Sequence, residues 1–220
     1  MHRSLYQLAV ALFQINAVKF GAFKLKLHEN QPDAPLSPIF FNLRTNENPK
    51  PGPLRESDVQ QIVTAMSTII LDKKLDFDGM CGIPNAGRPF AKGFIRMLGH
   101  RLQLVELLKI ENDDRRWIDH VANRGGLHRG ACVILIDDVV TGADTKLEAI
   151  RMLRDAGFVV DDLIVVVDHE QGGTRIVEAE GVHVHSIFSL SDLLDFYLSK
   201  GWISTVMYEN VKQYIASFAS

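Results

Sequence analysis

Cysteine is scarce: Cys81 and Cys132 are the two cysteines in 220 residues. No disulfide framework can organise a chain of this length from one pair. Both lie in short apolar runs that read as buried strands, so they are expected to be reduced core residues, which suits a cytoplasmic compartment. An excess of one charge is also missing. Lys and Arg total 24 against 27 Asp and Glu, a net charge of −3. With no basic run, the sequence lacks the electrostatic footprint of a nucleic-acid binder. No apolar stretch approaches the roughly 18 residues of a membrane span, so no membrane partner is expected. The N-terminal LYQLAVALFQINAVKF is the nearest to a signal sequence. Gln7, Gln14, Asn16 and Lys19 interrupt it, no A-x-A pattern follows, and Leu5, Leu8, Ala9 and Leu12 recur at helical spacing. It reads as an amphipathic helix. Internal repeats and low-complexity tracts are absent from the sequence.

With 46% hydrophobic and 23% charged residues, the chain has an ordinary globular composition. FGAFKLKL and SPIFFNLR read as two short strands around a polar, proline-bearing loop at 28–37. Pro49, Pro51 and Pro53 alternate in the connector that follows, which neither a helix nor a central strand tolerates. A boundary is placed there: residues 1–56 form an N-terminal helix and hood, residues 57–220 a core with C-terminal helices. Ser57 and Gln60 suggest a capping box for the next helix, with Val59, Ile62, Val63 and Met66 on one face. From residue 76 onward, strands FDGMCGI, LQLVELL, ACVILI, LIVVVD and VHVHSIF are separated by helices at 89–98, 145–156 and 174–180. Helices over SLSDLLDFYLSKG and 204–217 close the chain. Strands apolar on both faces with helices between them predict an α/β fold with a central, mainly parallel sheet flanked by helices.

Ligands in such sheets bind beyond the carboxyl ends of the strands. The polar segments there are Pro84–Arg88, Lys109–Arg129, Asp137–Thr145 and Asp168–Gly173. The third is the most telling. VILI ends in Asp137 and Asp138, whose side chains should point to opposite sides of the sheet edge. Val139, Val140, Thr141, Gly142, Ala143, Asp144 and Thr145 then lead into a helix. Backbone amides at a helix N-terminus favour a phosphate, and carboxylates accept from sugar hydroxyls. Together they describe a phosphorylated-sugar site. On spacing alone a plainer reading stays open: solvated acids, with Asp144 or Thr145 as an ordinary N-cap and Glu148 completing a box. His183 and His185 share a strand face, but no third ligand is evident and no metal site is read from them.

VILIDDVVTGADT resembles the phosphoribosyl pyrophosphate (PRPP) motif of type I phosphoribosyltransferases. NAVKFGAFKLKL, SPIFFNLR, DGMCGIPNAGRPFA, VVVDHEQGG and VHVHSIFSLSDLLDFY are similar, in order, to segments of the orotate phosphoribosyltransferase family, from about residue 10 to residue 200. The resemblance implies the type I phosphoribosyltransferase fold and transfer of the 5-phosphoribosyl group of PRPP to orotate, giving orotidine 5′-monophosphate and pyrophosphate in pyrimidine biosynthesis. It implies Mg2+ as cofactor, held mainly by the ligand's own oxygens, and a homodimer. Asp137 and Asp138 would bind the ribose hydroxyls, Thr141 to Thr145 the 5′-phosphate, and Pro84, Asn85, Ala86, Gly87 and Arg88 the pyrophosphate. Lys26 matches the lysine of the hood, and Phe40 and Phe41 the aromatic pair beside the base. Lys26, Lys109 and the two aspartates would be the catalytic groups.

Three departures from the family pattern stand out. The lysine-rich mobile loop, supplied to the neighbouring subunit, is replaced by LLKIENDDRRWIDHVANRGGLHRG. Lys109 is its only lysine, and Arg115, Arg116, His120 and Arg124 are the remaining candidates. His169 follows Asp168 where the family has an arginine that contacts the carboxylate of orotate. Asp144 stands beside the phosphate loop, and Gly142 comes one position early. These departures leave open a different acceptor base, or a catalytically weak PRPP- or nucleotide-binding regulatory protein.

Overall fold

The computed structural model describes residues 3–24, 33–99, 102–112 and 116–218. Helix α1 (Arg3–Gln14) leads into β1 (Val18–Phe23), which pairs antiparallel with β2 (Ser37–Phe41) in a two-stranded sheet. Helix α2 (Glu56–Lys73) and strand β3 (Gly79–Gly82) follow. Next come α3 (Arg88–Leu98), β4 (Gln103–Glu111), β5 (Arg116–Asn123), β6 (Val133–Val140) and α4 (Asp144–Asp155). The chain continues through β7 (Asp162–Asp168), α5 (Gly173–Ala179), β8 (His183–Ser189), α6 (Leu190–Ser199) and α7 (Thr205–Ala216).

The larger sheet has the order β5-β4-β3-β6-β7-β8 and is parallel throughout, apart from the antiparallel β4–β5 pair. Alternation along β6 sorts its side chains into two cores. Val133 and Leu135 pack toward α4 with Ala149, Ile150 and Leu153, whereas Ile134 and Ile136 pack on the other face with Ile62, Met66 and Phe90. Each such aliphatic side chain, fully buried, contributes about 1.5–3 kcal/mol. From β3 the chain winds outward to β4, and from β6 it winds the other way to β7 and β8. The switch point therefore lies between β3 and β6, and it places the loops after those two strands side by side.

Several local expectations are corrected. α2 is capped by Arg55, not Ser57: Asp58 turns back and accepts from the Arg55 N–H at 2.8 Å. α4 begins at Asp144 with Ala143 as N-cap, so neither Asp144 nor Thr145 caps it, and Asp144 is exposed in the first turn. The segment expected to be a loop over 109–129 is largely strand. β4 runs on to Glu111, and β5 returns along it in register Lys109↔Ile118 and Glu111↔Arg116. β5 is an edge strand with Ile118 as its buried residue, so its sequence carries no apolar run to announce it. Cys132 is only partly buried, just before β6, while Cys81 is fully buried; both are free.

Candidate active site

A cleft of about 560 Å3 opens at the switch point, beyond the carboxyl ends of β3, β6 and β7. Its lining draws on β1–β2 through Lys24, Phe40, Phe41 and Arg44, and on the loop after β3 through Pro84, Asn85 and Ala86. The hairpin strands add Lys109, Glu111 and Arg116, and the end of β6 with the start of α4 adds Asp137, Asp138, Val139, Thr141, Thr145 and Lys146. His169, after β7, completes it. Six lysines and arginines (Lys24, Arg44, Lys50, Lys109, Arg116, Lys146) face three carboxylates, Glu111, Asp137 and Asp138. That balance favours an anionic ligand.

The two aspartates occupy different environments, as their alternation along β6 dictates. Asp137 follows Val133 and Leu135 toward α4 and is 4% exposed; its Oδ2 lies 2.8 Å from Lys146 Nζ. Asp138 is half-buried, and its Oδ1 accepts from the Val139 N–H at 2.8 Å. Burial and the neighbouring Asp137 push the Asp138 carboxyl up to about 7, against the opposing pull of Lys146, the Val139 N–H and Arg44. Burial works against the Lys146 ammonium, but Asp137 and Asp138 outweigh it and hold the group above its ordinary range.

The loop after β3 approaches β6 closely. An added Cβ at Gly87 would collide with the Ile136 carbonyl oxygen, so only glycine lets this loop meet β6. The Pro84–Asn85 peptide is cis, and Lys109 Nζ donates to the Pro84 carbonyl at 3.4 Å. Arg88 is drawn elsewhere. Its guanidinium donates to the Leu107 carbonyl, its Nε is buried without a partner among the described residues, and it lines an adjoining cleft of about 390 Å3.

At the opposite wall His169 is buried, 2% exposed, and its ring meets Phe41 edge-on at 5.0 Å. Asp168 fixes this turn: it accepts from the Glu170 N–H and the Thr174 hydroxyl, both at 2.8 Å, while the His169 N–H donates to the Val140 carbonyl at 2.9 Å. Neither ring nitrogen has a hydrogen-bond partner among the described residues. Burial, with Lys146 adding to it, depresses the imidazole to about 4, so it is neutral at physiological pH.

Of the residues singled out from sequence, Asn85, Ala86, Lys109, Asp137, Asp138, Val139, Thr141, Thr145, Phe40, Phe41 and His169 line one cleft. Val140 and Ala143 are buried beneath it, Gly142 is exposed, and Lys26 lies outside the described residues. Among the hairpin cations, Arg124 is structural, donating to the Ala156 carbonyl at 2.7 Å and stacking on Phe158 at 4.2 Å. His120 pairs with Asp119 at 2.8 Å on the surface, Arg116 lines the cleft, and Arg115 lies outside the described residues. Sequence reasoning missed Lys24, Arg44, Lys50 and Lys146. For Lys146 a signal existed: the buried stripe Leu153, Ile150, Ala149 extends back by helical spacing to a lysine.

No protein-family model matches the chain. It is 31% identical over 206 residues to an orotate phosphoribosyltransferase of Pyrobaculum islandicum, covering 93% of this chain and 96% of that one. To uridine 5′-monophosphate synthase of Bos taurus it is 28% identical over 210 residues; these cover 94% of this chain but only 40% of the bovine protein's length. Among solved structures, UMP synthase of Leishmania donovani superposes with a TM-score of 0.76 at 24% identity, over 96% of this chain and 42% of that one.

Proposed function

Since the chain belongs to the orotate phosphoribosyltransferase family and has the type I phosphoribosyltransferase fold, we propose that it transfers the phosphoribosyl group of PRPP to orotate, releasing pyrophosphate. One observation carries the reading. The paired acids of β6, the amides opening α4 and the Phe41–His169 wall share one cation-lined cleft. Asp137 and Asp138 accept from the ribose 2′- and 3′-hydroxyls. The amides from Thr141 to Thr145, at the positive end of α4, take the 5′-phosphate. The acceptor ring lies against Phe40 and Phe41, which supply apolar and edge contacts.

A ring nitrogen of orotate, giving up its proton to solvent water, forms the bond to the anomeric carbon as the bond to the pyrophosphate oxygen breaks. The sugar becomes oxocarbenium-like, and negative charge gathers on the leaving group. Lys109 and Arg116 line the cleft where that charge develops, and preorganised cations are most effective there. Lys26 is proposed to join them from the hood, residues 1–56. Mg2+ is proposed as a substrate-borne ion, a hard cation that takes oxygen ligands and keeps several of its waters. The ion would offset pyrophosphate charge while held mainly by the oxygens of PRPP itself.

A second reading, transfer to another base, is favoured by His169. A neutral imidazole offers one donor and one acceptor but no charge for a carboxylate. No helix among the described residues is long and apolar enough to cross a membrane. A cytoplasmic homodimer is proposed, on the resemblance to the family. Mass-spectrometric identification of the product from PRPP, Mg2+ and a set of bases tests the reading. Orotidine 5′-monophosphate supports it; a different nucleotide supports the second.

A further inference from the structure

The first turn of α4 carries a lysine that elementary effects disfavour. Lys146 is 7% exposed, and a buried ammonium loses its hydration. The positive end of a helix macrodipole repels it further. An apolar residue would continue the buried stripe of Ala149, Ile150 and Leu153. What compensates is β6: Asp137 Oδ2 at 2.8 Å, and Asp138 beyond it. A buried ion pair is weak evidence for stability, because desolvation of both charges offsets their attraction. Its effect on its neighbours is the more informative property.

We propose that Lys146 is a positioning residue for the paired acids: its ammonium fixes the Asp137 carboxylate on the α4 side and leaves Asp138 as the more open of the two acceptors for the sugar hydroxyls. Asp138 is faced by Asp137 on its own strand, by Lys146 from α4 and by Arg44 from the segment after β2. Without Lys146 two adjacent carboxylates in a desolvated corner repel each other, and one takes up a proton. Burial is the main cause that lowers the His169 imidazole, and the same ammonium adds to it. One charge thus acts on both walls of the cleft. The sugar part of the proposal rests on the reading of the cleft as a PRPP site; the coupling between Lys146 and Asp138 does not.

Two measurements test it on the full chain. The side-chain carboxyl carbon of Asp138 is titrated by NMR without ligand in wild type, Lys146→Met, Lys146→Gln and Lys146→Arg. The midpoint is expected to rise by at least one pH unit in the Met and Gln variants and to return in the Arg variant. Calorimetry with PRPP is then expected to show binding at pH 7 weakened at least tenfold in Met and Gln, and largely restored in Arg. A midpoint unmoved in both neutral variants, or undiminished PRPP binding in them, overturns the proposal. Wild-type protein that binds no PRPP, with the midpoint shifting as stated, supports the Lys146 coupling and removes the PRPP reading instead.

Discussion

The His169 ring stands edge-on to Phe41 at 5.0 Å, with both its nitrogens unpartnered among the described residues. A buried polar ring left without partners costs about 1–3 kcal/mol. Such a group is explained if a ligand completes its hydrogen bonds, and the acceptor ring proposed to lie against Phe41 would do so.

This juxtaposition predicts how His169→Arg behaves. A guanidinium adds a fixed charge and a bidentate donor opposite a carboxylate. The KM for orotate should fall roughly tenfold, equivalent to about 1.4 kcal/mol, with the KM for PRPP unchanged. Initial-rate kinetics over both substrates would read this. An unchanged orotate KM would remove His169 from the acceptor wall.

The pH dependence of stability should contain two opposing contributions from the cleft. Asp138 is raised from 3.8 to about 7 by burial and Asp137, so the folded state binds the extra proton and stability falls as pH rises through that window. His169 is lowered from 6.5 to about 4 by burial and Lys146, so the unfolded state binds the extra proton and stability falls as pH drops from 6.5 toward 4. Asp138→Asn should leave a stability that rises with pH between 4 and 6.5. His169→Gln should leave one that falls between 4 and 7. Urea melts at several pH values separate the two slopes; identical slopes in both variants contradict the assignment.

The hairpin cations should divide by role. Arg124→Ala loses its contact to Phe158 and its bond to the Ala156 carbonyl, and should cost about 1–2 kcal/mol in stability with kcat unchanged. Lys109→Ala should leave the melting temperature within a few degrees and lower kcat by roughly 100–1,000-fold, the scale of a lost transition-state donor. Paired denaturation and kinetic measurements check the division, which fails if Arg124→Ala is the variant that loses turnover.

Gly87→Ala should be poorly tolerated. Its Cβ meets the Ile136 carbonyl oxygen, and relief requires the loop after β3 to move away from β6, at a cost of about 1–3 kcal/mol. Loss of PRPP affinity should accompany the lower urea midpoint. A variant with normal stability and affinity would show that the loop moves off β6 freely.

Much of this arrangement was legible because burial and polarity change abruptly along the chain. VILI followed by two aspartates marks a buried strand that ends at a polar edge, and the alternation of β6 correctly separates Asp137 from Asp138. β5 was not legible, since RWIDHVAN buries little besides Ile118 and an edge strand needs no apolar face. The fate of Arg88 was hidden as well: whether a long side chain meets a cleft or the Leu107 carbonyl depends on strand β4, distant in sequence. Lys146 went unremarked, although its place in the buried stripe of α4 sets it apart.

The most direct measurement is pyrophosphate release by the purified protein with Mg2+ and PRPP, with and without orotate. The account predicts release that requires orotate and that falls at least a hundredfold in Asp138→Asn, a variant that remains folded. Folded wild-type protein that releases no pyrophosphate with orotate, or release undiminished in Asp138→Asn, would contradict it.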